Sequence, residues 1–239
     1  MAGLTRRALI GGLAGLPLAA RGGEARRVLF VGNSFTYEHD LPGMVARIAA
    51  ASGCALTVLT RAEGGASLAQ HAAQPGLAQD LAWFRPDWIV LQDFSTEPLT
   101  EAGRIRSTRA VAEILAETAA RPVFFATWPR RAGHSLYRTP GMPAGPAAMA
   151  ALVEVHYAAL AETHQGRLAP AGRAWITALA RGLAPHRGDD YHANASGAWL
   201  AALTLARAMG HDLSRATPPE TIPNATQLRW IAEGTLPAK

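Results

Sequence analysis

The sequence predicts an α/β protein, a three-layer α/β/α sandwich around a parallel sheet of about five strands. Three observations predict it. Strand-like and helix-like runs alternate from residue 28 to residue 233, a pattern that pairs strands in parallel through right-handed crossovers. Two of the strand runs, residues 28–31 (VLFV) and 88–91 (WIVL), are apolar throughout, as strands covered on both faces are. Apolar residues make up 49% of the 239 residues and charged residues 17%, enough to fill one large core and too little charge for a disordered chain.

Each element follows in order. The first strand, 28–31, runs into Gly32-Asn33-Ser34 and is followed by a helical pattern over 41–51. A second strand at 55–60 (ALTVLT) ends at Glu63-Gly64-Gly65. Residues 67–84 read as one or two helical pieces broken by Pro75-Gly76. The third strand, 88–91, stops at Gln92-Asp93, and a long helix over 100–120 carries Val111, Ile114, Leu115 and Thr118 on one stripe. A fourth strand at 123–126 (VFFA), a helix over 147–164 and a weaker strand at 167–170 come next. Helices over 172–181, 196–209 and 226–233 finish the chain. The one long irregular segment, 129–146, leaves the fourth strand at the edge where Ser34 sits. Loops of that length are usually functional or mobile. It reads equally as a lid or specificity wall, offering Arg130, Arg131, His134 and Tyr137 to a substrate, and as a solvated surface loop.

Residues 1–23 have the order of an export signal: Arg6-Arg7, an apolar stretch, then small residues at Ala19 and Ala20. The paired arginines suit a twin-arginine address, which sends the protein to the periplasm or beyond. The apolar stretch is too short for a permanent span, so no stable membrane anchor is expected. Residues 24–239 then form one domain. The formal charge of +5 comes from an arginine-rich composition, with no basic and aromatic cluster of the kind nucleic acids require. The single cysteine, Cys54, cannot form an internal disulfide. His134, His156, His164 and His186 have no metal-ligand spacing with cysteine or carboxylates, so no metal and no cofactor are expected.

Hydrolysis by a serine needs a nucleophile, a base, a group that orients the base and donors for the oxyanion. With eight serines and eight histidines in the chain, only context can choose among them. Ser34 directly follows a strand, where open α/β sheets handle their ligands, although a helix N-cap explains such a serine as well. Asp189 and His192 stand three apart in DDYHANASG, close enough in a turn for the carboxylate to hold the imidazole. An acidic loop capping the next helix is the plainer reading of that pair. Gly64-Gly65 and Gln92-Asp93 end the second and third strands, offering backbone N–H groups and a side-chain amide. Trp128, beyond the fourth strand, either lines a pocket or braces the long loop; His71 faces the pocket or lies partly exposed on its helix.

These four groups resemble the four blocks of the SGNH hydrolase superfamily, the GDSL-type esterases and lipases, over most of the chain after residue 23. The resemblance implies a flavodoxin-like sheet and a Ser-His-Asp triad. VGNSFT resembles the serine block and implies Ser34 as nucleophile, with its own N–H in the oxyanion hole and Asn33 where the family name expects Asp. EGGAS resembles the glycine block and implies Gly65, or else Gly64, as an oxyanion donor. DDYHANASG resembles the last block and implies His192 as base and Asp189 as its orienter. The third block departs from the usual G-x-N-D: VLQD puts Gln92 in place of the oxyanion asparagine, beside Asp93. Asn33, Gly64, Asp93 and Trp128 complete the expected substrate pocket. The implied activity is hydrolysis of short acyl esters, acetyl-like and on a small molecule or cell-wall glycan, with lipid hydrolysis and mute glycan binding as alternatives.

Overall fold

The computed structural model describes residues 25–219 and 221–236, so the export segment expected at 1–23 lies outside the described residues. The chain runs β1 (Arg26–Gly32), α1 (Ser34–Tyr37), α2 (Leu41–Ala51), β2 (Leu56–Ala62), α3 (Leu68–Ala72), α4 (Pro75–Phe84), β3 (Trp88–Leu91), α5 (Glu101–Ala116) and β4 (Arg121–Ala126). It continues through α6 (Pro146–Thr163), β5 (Arg167–Pro170), α7 (Ala171–Ala180), α8 (Ala195–Met209) and α9 (Ala225–Thr235). The five strands are all parallel in the order β2-β1-β3-β4-β5, the doubly wound order of flavodoxin-like sheets.

Strand alternation explains the three layers. Val28, Phe30, Val90, Val123 and Phe125 pack on the face that carries α2, α7 and α8, with α9 beyond. Leu29, Val31, Ile89, Leu91 and Phe124 point to the other face, against residues of α3 to α6. α8 is buried at nearly every position from Gly197 to Met209, because the sheet covers one side of it and α2, α7 and α9 cover the rest. Pro75 starts α4 rather than breaking a continuous helix: at the first turn its missing N–H has no helical partner to lose. The helix expected over 100–120 ends at Ala116, so Thr118 lies past it in a turn, where its hydroxyl accepts the Ala120 N–H.

Register places the site. Gly32 pairs with Ala62 and Val31 with Leu91, so β1, β2 and β3 end at one level. The loops starting at residues 33, 63 and 92 therefore leave the sheet together, at the switch point where the chain crosses from one side of β1 to the other.

Candidate active site

Ser34 sits at the first turn of α1, 6% exposed, directly after the strand. Asn33 caps that turn: its Oδ1 accepts the Phe35 N–H at 3.1 Å while its Nδ2 donates to the Ala66 carbonyl at 3.0 Å. Gly32 has to be glycine, because a Cβ there would collide with Thr36 Oγ1 and Gln92 Oε1.

His192 arrives from the loop before α8. His192 Nε2 lies 3.0 Å from Ser34 Oγ, and His192 Nδ1 lies 2.8 Å from Asp189 Oδ2. The second carboxylate oxygen of Asp189 accepts the N–H groups of Tyr191 (3.0 Å) and His192 (2.9 Å), and Asp190 turns the chain with φ of 62°. The D-x-x-H spacing is thus a tight turn closed by its own carboxylate. Partial burial works to raise the Asp189 carboxyl. Hydrogen bonds from the His192 side chain and backbone, Arg187 and Tyr191 outweigh it and hold the group well below the usual carboxylate range.

Tyr191 and the imidazole are in ring contact at 3.9 Å between centroids, and Trp128 Nε1 donates to the Tyr191 carbonyl at 3.1 Å. Trp128 itself is sandwiched between Phe35 (4.5 Å, 14°) and Trp175 (4.4 Å, 7°). Both its faces are covered and only 2% of it is exposed, so it is a brace for the loop that carries His192, contributing one wall to a small recess.

Gln92 requires a correction. It is fully buried and its Oε1 accepts the Asn33 N–H (2.9 Å) and the Thr36 hydroxyl (2.8 Å), while Nε2 donates to the Asp93 carbonyl. The extra methylene that distinguishes it from asparagine lets the amide fold back under the Ser34 loop, so its polar atoms are spent bracing that loop and are not free to donate to a substrate. Asp93 and Asn33 are likewise no part of an open pocket, being 2% and 3% exposed. Asp93 accepts the N–H groups of Leu68 (2.9 Å) and Phe94 (2.7 Å), and its own N–H donates to the Tyr157 hydroxyl. Burial pushes its carboxyl up against those bonds and one from Ser107.

The Gly64-Gly65 loop is tied to the Ser34 loop on both sides. Glu63 N–H donates to the Gly32 carbonyl and Asn33 holds Ala66, leaving Gly64 and Gly65 exposed between the two ties. Gly65 has φ of 75°, which only glycine adopts cheaply; Gly64 has no such requirement. His71 is neither in a pocket nor exposed: it is buried, and its Nε2 donates to the Gly32 carbonyl at 2.7 Å, fixing the end of β1.

Two flanking groups escaped the sequence reading. Arg187 contacts Asp189 Oδ2 at 2.9 Å, and Glu38 Oε1 stands 3.9 Å from His192 Nε2. Glu38 is four residues after Ser34 and Arg187 two before Asp189, but neither spacing is distinctive without the turn that aims the side chain. The 129–146 segment is tethered, since Arg131 pairs with Asp190 at 2.9 Å and the Tyr137 hydroxyl donates to the Arg130 carbonyl at 2.7 Å. His134 caps the short 3-10 turn at Ser135–Arg138.

Ser34 and His192 share a shallow recess with Glu38, Leu41, Trp128 and Ala198 that is too tight to admit a water molecule. A much larger open hollow, about 570 Å³, lies at the opposite, amino-terminal edge of the sheet between Arg26, Arg85 and Arg121. Among the described residues no group of three or more His, Cys, Asp or Glu is placed to hold a metal, and no helix is long and apolar enough to cross a membrane.

No protein-family model and no curated protein matches the sequence. Among solved structures, a protein from Slackia heliotrinireducens described as an SGNH hydrolase is 30% identical, with a TM-score of 0.64, over 78% of this chain and 100% of its own. The chain belongs to the SGNH hydrolase superfamily. Two further structures share the fold of this SGNH hydrolase. A DUF4886 family protein from Bacteroides uniformis has a TM-score of 0.74 at 19% identity, over 89% of this chain and 95% of its own. An acetyl xylan esterase from Geobacillus stearothermophilus has a TM-score of 0.61 at 15% identity, over 81% of this chain and 98% of its own.

Proposed function

We propose that this SGNH hydrolase is a serine esterase that removes short, acetyl-like acyl groups, with Ser34 as nucleophile, His192 as general base and Asp189 as the group that orients His192. The observation that carries the reading is the unbroken relay from Ser34 Oγ to His192 Nε2 (3.0 Å) and from His192 Nδ1 to Asp189 (2.8 Å). His192 takes the Ser34 proton as Oγ attacks the ester carbonyl, and returns it to the departing alcohol. Water then attacks the acyl-enzyme through the same base. The backbone N–H groups of Ser34 and Gly65 receive the oxyanion. The acetyl xylan esterase on the same fold supports an acetylated carbohydrate as the alcohol, by analogy of fold alone. Residues 1–23 support export to the periplasm or the extracellular space.

Fluorophosphonate labelling followed by turnover of p-nitrophenyl acetate tests the reading. Wild-type protein labels and turns over, and Ser34→Ala does neither. Ser34→Ala with full activity sinks the mechanism. Folded wild-type protein that is inert in both assays leaves a glycan-binding protein on a hydrolase fold. A panel of acetylated sugars against longer acyl esters then sorts the substrate class.

A further inference from the structure

With Gln92 turned inward, the oxyanion hole of the proposed esterase holds two backbone donors and lacks a side-chain donor from the end of β3. Ser95 stands three residues beyond Gln92. It is 3% exposed, and its Oγ accepts a hydrogen bond from Arg130 Nη2 at 2.9 Å. A guanidinium can only donate, so this contact occupies a lone pair of Ser95 and leaves the hydroxyl hydrogen for another acceptor. Among the described residues that hydrogen has none. A hydroxyl polarised by a cation is also the stronger donor.

Arg130 is the more unusual of the two. It is 7% exposed, forms no ion pair among the described residues, and its Nε and Nη1 have no hydrogen-bond partner there. A buried charge without a contacting counter-ion is costly to hold, and Asp189 offsets it from beyond ion-pair distance. Its Cζ lies 3.4 Å over the Tyr191 ring and 5.9 Å from the Phe35 ring. Phe35 is the neighbour of Ser34 and Tyr191 the neighbour of His192, so the cation packs against the rings that flank those two residues in the chain, within reach of the Asp189 charge. An ester in its ground state brings no anion there; the tetrahedral intermediate does. A preorganised guanidinium with two unpartnered N–H-bearing nitrogens, beside a hydroxyl whose hydrogen has no acceptor among the described residues, is suited to charge that exists only near the transition state. Burial lowers the Arg130 guanidinium to about 10, which still leaves it cationic at neutral pH.

We propose that Ser95, polarised and oriented by Arg130, is the third oxyanion donor of this site, in place of the amide that Gln92 withholds. The inference rests on the esterase reading above. As the Ser34 Oγ–carbon bond forms, the carbonyl π pair moves onto oxygen. That oxygen accepts hydrogen bonds from Ser34 N–H, Gly65 N–H and Ser95 O–H. When the pair returns, the carbon–alkoxide bond breaks and the imidazolium proton goes to the alkoxide. Ser95 keeps its proton throughout. Arg130 acts through Ser95 and is a positioning residue.

The test is steady-state kinetics with p-nitrophenyl acetate on the full chain, with thermal melting to confirm folding. Ser95→Ala is expected to lower kcat about 100-fold with KM changed less than threefold, as loss of one oxyanion donor does. Arg130→Met is expected to lose at least as much, Arg130→Lys to recover part of it, and the double variant Ser95→Ala/Arg130→Met to fall no further than Arg130→Met alone. A merely structural Arg130 gives additive losses and leaves Ser95→Ala active. Folded Ser95→Ala with kcat within threefold of wild type overturns the inference while leaving the esterase reading intact. Wild-type protein that neither labels nor turns over defeats both. If Ser95→Ala does not fold, Ser95→Cys carries the test: its weak donor must lower kcat at least tenfold, and undiminished turnover refutes the role.

Discussion

Gln92→Met separates a buried brace from an oxyanion donor. Methionine nearly matches the volume of glutamine, so little cavity opens, but both hydrogen bonds accepted by Oε1 disappear. The Asn33 N–H and the Thr36 hydroxyl then stay buried without an acceptor, Thr36 being fully inaccessible. Each orphaned donor costs about 1–3 kcal/mol, so the variant loses about 2–6 kcal/mol. For a chain of this size about 3 kcal/mol lowers the melting midpoint by roughly 6–12 °C. Urea unfolding and p-nitrophenyl acetate kinetics on the same preparation provide both readouts. The expected result is a large fall in the urea midpoint, with kcat of the folded enzyme down less than about tenfold as the nucleophile turn loosens. An oxyanion donor behaves the opposite way, losing about 100- to 1000-fold in kcat with stability intact. An unchanged midpoint with a 100-fold lower kcat would falsify the assignment of Gln92 as a brace.

Asp189→Asn keeps the turn's shape but offers His192 a donor-acceptor mixture in place of a carboxylate. A fall in kcat of about 10³- to 10⁴-fold is expected, and a loss under tenfold removes Asp189 from the mechanism. Gly65→Ala meets open space, so its penalty comes from φ alone. It should cost about 1 kcal/mol by urea unfolding and lower kcat, whereas Gly64→Ala should be near neutral. A Gly64→Ala variant more damaging than Gly65→Ala reverses the assignment of the donor. His156 is buried against Ser107 at 3.0 Å, and burial, with the Arg104 charge, lowers its imidazole to about 4. Between pH 6.5 and 4 the unfolded chain binds a proton that the folded chain refuses, so stability is full above pH 6.5 and falls on acidification, by at most about 3 kcal/mol. Urea midpoints at pH 7 and pH 4.5 should differ more for wild type than for His156→Gln; equal differences contradict the linkage.

The sequence by itself determined the sheet, its order of elements and the three-layer packing, because those rest on local properties. Fully apolar runs such as Trp88–Leu91 can be buried only on both faces, and alternating strands and helices admit few topologies. It also brought forward Ser34, Gly65, Asp189 and His192, since each stands at a strand end or in a turn with its own spacing. Only the tertiary structure decided which way the strand-end side chains face. Gln92, Asp93 and Asn33 carry the right chemistry at the right height, yet their polar atoms are consumed by Asn33, Thr36, Leu68, Phe35 and Ala66. Buried polar groups must be satisfied, and their partners come from other loops, a fact written nowhere in the local sequence. The same holds for Arg130: its loop position offered it to a substrate or to solvent, and only packing against Tyr191 and Ser95 turned it into a buried charge.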